Sequence, residues 1–206
     1  MSNHEDIYHR RKVVVVGESR VGKSCLTATL ARSWFPIPYY LTADLAEVQN
    51  VQTEVDGKLV KLELLDIRPD KDYDRVRPLV YPKTSVILIC FSLDDPKSFQ
   101  MVTERWHTEV LHFCSTPRVP LLLVGCKLDT RDTRLFNSFP PSSNGKDFIT
   151  EQQGTDLAAR IGALAYMECS MLHPEKVKEL LDTVARIAVS WNPQIPTQQR
   201  RECRVL

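Results

Sequence analysis

The feature that most constrains the fold is an apolar run that ends in a glycine-framed loop. Residues 13–16 are four consecutive valines, and the string G-E-S-R-V-G-K-S follows directly as residues 17–24. An apolar, β-branched run of this kind is typical of a strand buried on both faces in a parallel sheet. Parallel strands need crossover connections, which are usually helices. The sequence therefore predicts a buried strand, a loop and then a helix within an α/β sheet.

The rest of the chain alternates between strand and helix patterns. Strand-like runs cover residues 48–55, 59–65, 85–91, 120–125 and 163–168, and helical patterns cover residues 98–113, 150–161 and 174–191. Asp56-Gly57, between the first two runs, is a strong hairpin signal. We predict an α/β fold with a six-stranded, mostly parallel sheet, one antiparallel edge strand and helices on both faces. Ligands of such sheets bind at the carboxyl ends of the strands.

The loop at residues 17–24 matches the phosphate-binding pattern G-x-x-x-x-G-K-[ST]. Its glycines let backbone N–H groups surround an anion, Lys23 is placed to reach the outer phosphates, and Ser24 is placed to ligate Mg²⁺. The alternative is a strand–turn–helix with an accidental lysine, which the flanking strand and helix disfavour. Ser19 and Arg20 are bulkier than a tight loop most easily accommodates. Arg20 either adds positive charge near the phosphates or points into solvent, and we expect solvent because most arginines are exposed.

Two later strand ends carry residues suited to a guanine base. In L-V-G-C-K-L-D, residues 123–129, Asp129 can accept two hydrogen bonds from the guanine edge while the Lys127 stem lies along the base. In A-Y-M-E-C-S-M-L, residues 165–172, backbone N–H groups near Ser170 and Met171 would face the guanine carbonyl. The three stretches, in this order and spacing, resemble the Ras-like small GTPases. D-Y-D-R-V-R-P-L-V-Y-P, I-C-F-S-L, W-H-T-E-V-L-H-F-C and E-C-S resemble the Rho/Rac subfamily in particular.

The resemblance covers about residues 12–191 and the last four residues, and it implies a Ras-like P-loop G domain that binds GTP or GDP with Mg²⁺. It implies that Phe35 packs on guanine, that Tyr39 closes over the phosphates, and that Thr42 binds Mg²⁺ and the terminal phosphate. An ordinary loop threonine is the alternative for Thr42. The implied nucleotide-binding residues are Gly17, Glu18, Ser19, Arg20, Val21, Gly22, Lys23, Ser24, Cys25, Phe35, Tyr39, Thr42, Cys126, Lys127, Asp129, Ser170 and Met171. The implied metal ligands are Ser24, Thr42 and, through water, Asp66.

The chain departs from the family outside these positions. A-D-L-A-E after Thr42 replaces a more apolar effector segment, so the usual effectors are not expected to bind. Cys126 stands where the family most often has Asn or Thr, which costs one loop-bracing hydrogen bond because a thiol is a weak partner. By resemblance, partner proteins would bind from Tyr39 to Glu47 and from Asp72 to Pro82.

The family's D-x-x-G-Q pattern is altered to D-I-R-P-D at residues 66–70. Pro69 has no N–H for the terminal phosphate, and Asp70 replaces the glutamine that orients the attacking water. An aspartate is shorter, and phosphate repels its charge. We expect GTP hydrolysis to be weak or absent, and no catalytic residue is assigned. Arg68 as an arginine supplied in cis is a less favoured alternative.

Three functions remain open. The preferred one is a Rho-like signalling protein that holds GTP and Mg²⁺ but hydrolyses little. The alternatives are a regulated GTPase that cycles between GTP and GDP, and a nucleotide-independent scaffold. An ATP-dependent enzyme is disfavoured because C-K-L-D favours guanine.

The remaining sequence bears on location and domain organisation. A net charge of +1 gives no case for a nucleic-acid partner, and neither a signal peptide nor a membrane span is predicted. The six cysteines are expected to be reduced thiols in the cytoplasm. We predict a polar extension at residues 1–11, one G domain at 12–191 with a Rho-type insertion at about 130–148, and a flexible tail at 192–206. The final C-R-V-L predicts geranylgeranylation of Cys203 and reversible association with the cytoplasmic face of membranes, with the plasma membrane as the expected one.

Overall fold

One mixed sheet organises the part of the chain that the computed structural model describes, which is residues 9–32, 46–114, 118–131 and 148–191. Its strands are β1 (His9–Gly17), β2 (Ala46–Val55), β3 (Lys58–Ile67), β4 (Thr84–Ser92), β5 (Leu121–Cys126) and β6 (Ala165–Cys169). The strand order is β2-β3-β1-β4-β5-β6, and β2 at the edge runs antiparallel to β3 while the other pairs are parallel. The predicted six-stranded, mostly parallel sheet is confirmed.

The helices of the described residues begin and end at recognisable signals. They are α1 (Lys23–Arg32), α2 (Pro96–Met101), α3 (His107–Cys114), α4 (Glu151–Ile161) and α5 (Pro174–Ser190). Thr150 and Gln153 form a capping box at the start of α4, and Gly162 ends it with φ 67°. Pro96 and Pro174 each stand in the first turn of their helix, where the missing N–H costs little.

The predicted helix at residues 98–113 is present but is interrupted. A π-helical turn (Val102–Trp106) joins α2 to α3, and two 3₁₀ helices (Lys71–Tyr73 and Arg77–Val80) follow β3. None of these three elements was predicted. The π-helical turn changes the direction of the side chains on the helix, and this bears on the site described below.

Helices cover both faces of the sheet, as predicted. Val13 and Val15 of β1 face one core, together with α1 and α5, whereas Val14 and Val16 face the other, together with the α2–α3 helix and α4. This division follows from the alternation of side chains along a strand. All four valines have no exposed surface, which explains why the run contains no polar residue.

The hairpin and the first strand differ in how well their bounds were predicted. Asp56 and Gly57 join β2 to β3 with φ 50° and 72°, the left-handed conformations of a type I′ turn. β1 begins at His9, which pairs with Val60, so residues 9–11 lie in the sheet and not in the predicted extension.

Among the described residues, no helix is long and apolar enough to cross a membrane.

Candidate functional site

A cavity of about 400 Å³ lies at the carboxyl ends of the strands. The predicted site residues that line it are Arg20, Gly22, Lys23, Ser24, Cys25, Cys126, Lys127, Asp129, Ser170 and Met171. The structure thus brings together three stretches that are far apart in sequence. Phe35, Tyr39, Thr42 and Cys203 lie outside the described residues.

The phosphate loop has the backbone conformation of an anion cradle. Gly17, Arg20 and Gly22 have φ 146°, 64° and 110°, and such alternation turns successive N–H groups toward one side. A Cβ atom at Gly17 would lie 2.2 Å from the Cys90 carbonyl oxygen, so only glycine fits there. Arg20 is exposed and also lines the cavity, so both interpretations of its side chain stay open.

Lys23 is held at the base of this loop. Its Nζ donates hydrogen bonds of 2.8 Å to the carbonyl oxygens of Gly17 and Glu18. Burial lowers the pKa of the Lys23 ammonium, and the nearby Asp66 carboxylate opposes this shift. A buried ammonium with so few acceptors suits a phosphate ligand, because an anion would add to its electrostatic stabilisation.

The proposed base loop is fixed by polar contacts within the protein. Asp129 accepts a short hydrogen bond from Ser170 Oγ, which links the end of β5 to the end of β6. Lys127 has φ 64°, and its Nζ lies 3.4 Å from Asp94 Oδ1. These contacts place Lys127, Asp129 and Ser170 along one wall of the cavity.

Cys126 lies beneath this wall. A Cβ atom placed on Gly22 would be 3.4 Å from the Cys126 Cβ, so the thiol packs directly against the phosphate loop. Cys126 and Cys169 are paired positions on β5 and β6, and both are buried. The position therefore contributes a small buried thiol and no strong hydrogen bond to brace the loop.

The oxygen donors near the cavity suit Mg²⁺. Ser24 lines the cavity, and Asp66, which is 7% exposed, lies near the end of β3 beside Lys23. Among the described residues there is no group of three or more His, Cys, Asp or Glu side chains that could hold a metal. A hydroxyl and one carboxylate fit Mg²⁺ that is ligated mainly by phosphates and water.

The sensing segment, residues 66–70, is held by other parts of the protein. The Pro69 carbonyl oxygen accepts a hydrogen bond of 2.6 Å from Arg105 Nη2. Arg68 Nε donates to Asp70 Oδ2 at 3.0 Å, and the Arg68 guanidinium lies 5.6 Å from the Tyr73 ring centroid. Arg68 therefore neutralises Asp70 and is not among the residues that line the cavity, which opposes the alternative of an arginine supplied in cis.

Several contacts around this segment were not predicted. The carboxylate of Glu18, a predicted nucleotide-binding residue, accepts hydrogen bonds from Trp106 Nε1 at 3.1 Å and Arg105 Nη1 at 3.2 Å, and Glu18 is not among the described residues that line the cavity. Arg77, which is 1% exposed, is paired with Glu109. No local sequence signal marks these pairs, because the partners are 32 to 88 residues apart.

The fold and the cavity define a class of protein. A phosphate loop between a strand and a helix, joined at the strand ends to an aspartate-bearing base loop, is typical of P-loop nucleotide-binding domains.

Comparisons with known proteins give the family. A model of the Ras family matches residues 12–190. "GTP-binding protein rho5" of Schizosaccharomyces pombe is 42% identical over 201 residues, which cover 96% of this chain and 98% of that protein. "GTP-binding protein rho1" of the same yeast is 40% identical over 203 residues, covering 96% and 98%. "GTP-binding protein RHO1" of Saccharomyces cerevisiae is 42% identical over 181 residues, covering 87% and 84%. The chain belongs to the Ras family and is a Rho-like small GTP-binding protein.

Proposed function

We propose that this protein holds GTP with Mg²⁺ and hydrolyses it weakly or not at all, so that it acts as a long-lived GTP-bound signalling module. The observation that carries the proposal is the sensing segment. Its residue 69 has no N–H, and the carboxylate of Asp70 is engaged by Arg68 at 3.0 Å. By contrast, the cavity residues of the phosphate loop (17–24) and of the base loop (123–129) are of the types that nucleotide binding requires.

Within the proposal each motif has a role. Gly22, Lys23 and the loop N–H groups would bind the phosphates, and Ser24 and Asp66 would hold Mg²⁺. Asp129 and Ser170 would select guanine. The remaining implied residues, Phe35, Tyr39 and Thr42, would close the site from the chain between α1 and β2.

Weak hydrolysis follows from the chemistry of residues 69 and 70. Orientation of the attacking water and stabilisation of the developing charge supply most of the acceleration, about 10⁵-fold in stimulated GTPases. Asp70 cannot replace a glutamine in this role, because its carboxylate is an acceptor only and is paired with a cation. Among the described residues that line the cavity, no other side chain is a suitable replacement.

The test is repair of the segment. Pro69→Gly combined with Asp70→Gln is expected to raise the single-turnover rate of GTP hydrolysis by at least about tenfold, since it restores an N–H donor and a water-orienting amide. Asp72→Asn is the matched control, because it removes an exposed carboxylate two residues after Asp70 without altering residues 69 and 70. An unchanged rate in the repaired variant would show that the defect lies elsewhere.

We also propose lipidation of Cys203 and reversible association with the cytoplasmic face of membranes. The basis is C-R-V-L together with only two upstream arginines, Arg200 and Arg201, since one lipid with a weak basic patch gives marginal binding. Cys203→Ser is expected to move the protein from the membrane fraction to the soluble fraction. Unchanged membrane fractionation of this variant would refute the lipid's role.

Effector or regulator proteins would bind through residues 39–47 and 72–82.

A further inference from the structure

We propose that Arg105 and Arg77 hold the sensing segment in one conformation whether GTP or GDP is bound, so that the segment does not report the nucleotide state. The two residues are called the arginine clamp below. The inference deepens the proposed function, because it concerns the same segment of the same site.

Arg105 joins three separate parts of the protein. Its Nη2 donates to the Pro69 carbonyl oxygen at 2.6 Å and to Asp74 Oδ1 at 3.1 Å, and its Nη1 donates to Glu18 Oε1 at 3.2 Å. One side chain thus connects the phosphate loop to the sensing segment and to the segment that follows it. Hydrogen bonds from a guanidinium to carboxylates are about twice as strong as neutral ones.

Arg77 binds the carbonyl group of Arg68, the residue before Pro69. Its Nη1 donates to the Arg68 carbonyl oxygen at 3.3 Å, and its Nε and Nη2 donate to the two oxygens of Glu109 at 2.7 and 2.9 Å. Asp74 also accepts a short hydrogen bond from Arg77. Because Arg77 is almost fully buried, breaking these contacts would leave an uncompensated buried charge, which is costly.

The Arg105 side chain of the clamp is held in place by the buried Trp106 and by Glu18. Trp106 has no exposed surface and donates to the same Glu18 oxygen as Arg105, and the Arg105 guanidinium lies 4.5 Å from the Trp106 ring centroid. Adjacent residues of a regular α-helix point about 100° apart. The π-helical turn (Val102–Trp106) ends at these two residues and permits both to reach Glu18. Such turns are frequent at functional sites.

These contacts remove the means by which a terminal phosphate could move the segment. A ligand shifts a conformational equilibrium only through contacts that differ between the two conformations. GTP and GDP differ in the terminal phosphate, and Pro69 offers it no N–H. The carbonyl groups of residues 68 and 69 are bonded to the clamp, and Asp70 is bonded to Arg68. The following residues, which include Leu79 with 75% exposure, are therefore displayed alike in both states.

Hydrogen exchange on the full chain tests the inference. The protein is compared with GDP, with the non-hydrolysable analogue GMPPNP, and after removal of nucleotide by a chelator. In the wild-type protein, peptides covering residues 68–80 are expected to exchange at rates that agree within about twofold among the three states.

Variants separate the clamp from general stability. Arg105→Ala is expected to raise exchange in residues 68–80 by about tenfold or more in every state, while the amides of β4 and β5 keep their protection. Arg105→Lys, which keeps the charge but not the fork of donors, is expected to give an intermediate rate. Arg75→Ala is the matched control, because Arg75 is an exposed arginine of the same segment.

Two results would overturn the inference. One is wild-type exchange in residues 68–80 that is more than about fivefold slower with GMPPNP than with GDP. The other is unchanged exchange in Arg105→Ala, with Arg105→Lys deciding the question if the alanine variant does not fold. A protein that retains no nucleotide, or that hydrolyses GTP rapidly, would contradict the proposed function. In either case the Arg105 variants, measured without nucleotide or with GMPPNP, still decide the clamp.

Discussion

Arg20 has φ 64° in the middle of the phosphate loop, a conformation that glycine adopts without cost. For a residue with a Cβ, the left-handed conformation costs about 1 kcal/mol or more. The side chain of Arg20 is exposed, and no hydrogen bond or ion pair of the described residues stabilises it in exchange. The loop therefore retains the curvature of an anion cradle at the expense of local strain.

Arg20→Gly is accordingly expected to raise the free energy of unfolding by about 0.5–1 kcal/mol, measured by urea denaturation. Ser19→Gly is the matched control, because Ser19 is the exposed neighbour and is not among the residues with positive φ. That change is expected to destabilise by about 0.5 kcal/mol through the added freedom of the unfolded chain. Equal effects of the two substitutions would show that the strain at Arg20 is not significant.

Helix α4 packs closely against the sheet at Gly154. A Cβ atom at Gly154 would lie 2.1 to 2.5 Å from two ring carbons and the phenolic oxygen of Tyr166 on β6. Tyr166 in turn stacks at 6.2 Å on Phe91 of β4 and donates to Glu168 at 2.7 Å. The ring is fixed from both sides, so it cannot move aside to accept a larger residue on α4.

Gly154→Ala should therefore destabilise the protein although alanine is the better helix former. Overpacking costs about 1–3 kcal/mol, which exceeds the gain in helix propensity of about 1 kcal/mol. Thermal denaturation should show a lower Tm, whereas Gln152→Ala, at an exposed position of the same helix, should leave Tm nearly unchanged. A higher Tm in Gly154→Ala would contradict the packing described here.

The elements that the sequence predicts are those with local causes. Asp56-Gly57 specifies its turn by its own backbone preferences, and the valines at residues 13–16 specify a buried strand. The π-helical turn has a tertiary cause, since Arg105 and Trp106 both reach Glu18, 87 and 88 residues away. The site divides in the same way. The phosphate loop is a contiguous motif, but the contact that holds Pro69 comes from Arg105 of the π-helical turn, 36 residues later in the chain.

At the scale of the whole molecule, two buried phenols connect ionisation to unfolding. Burial, and then the hydrogen bond to Glu109, raise the pKa of Tyr81 well above its usual value of 10.0. Burial and the hydrogen bond to Glu168 do the same for the pKa of Tyr166. A raised pKa in the folded state contributes stability below pH 10 and loses it as pH rises further, because the unfolded phenol ionises first.

An alkaline titration checks this coupling. At least two of the six tyrosines are expected to give phenolate absorbance only with the loss of the circular dichroism signal. Each contributes up to about 1.4 kcal/mol of lost stability per pH unit above 10. Tyr81→Phe should remove one equivalent from this late step. Complete ionisation near pH 10 in a protein that is still folded would show that the two phenols are accessible to solvent.

The central claim concerns the lifetime of bound GTP. The protein is loaded with GTP and Mg²⁺ under single-turnover conditions, and the bound nucleotide is identified after denaturation at successive times. Unstimulated Ras hydrolyses GTP at about 3–5 × 10⁻⁴ s⁻¹, and the account predicts a rate at least about tenfold lower, with GTP still bound after hours. Conversion to GDP at the Ras rate or faster would contradict it, because the altered sensing segment would then support ordinary hydrolysis.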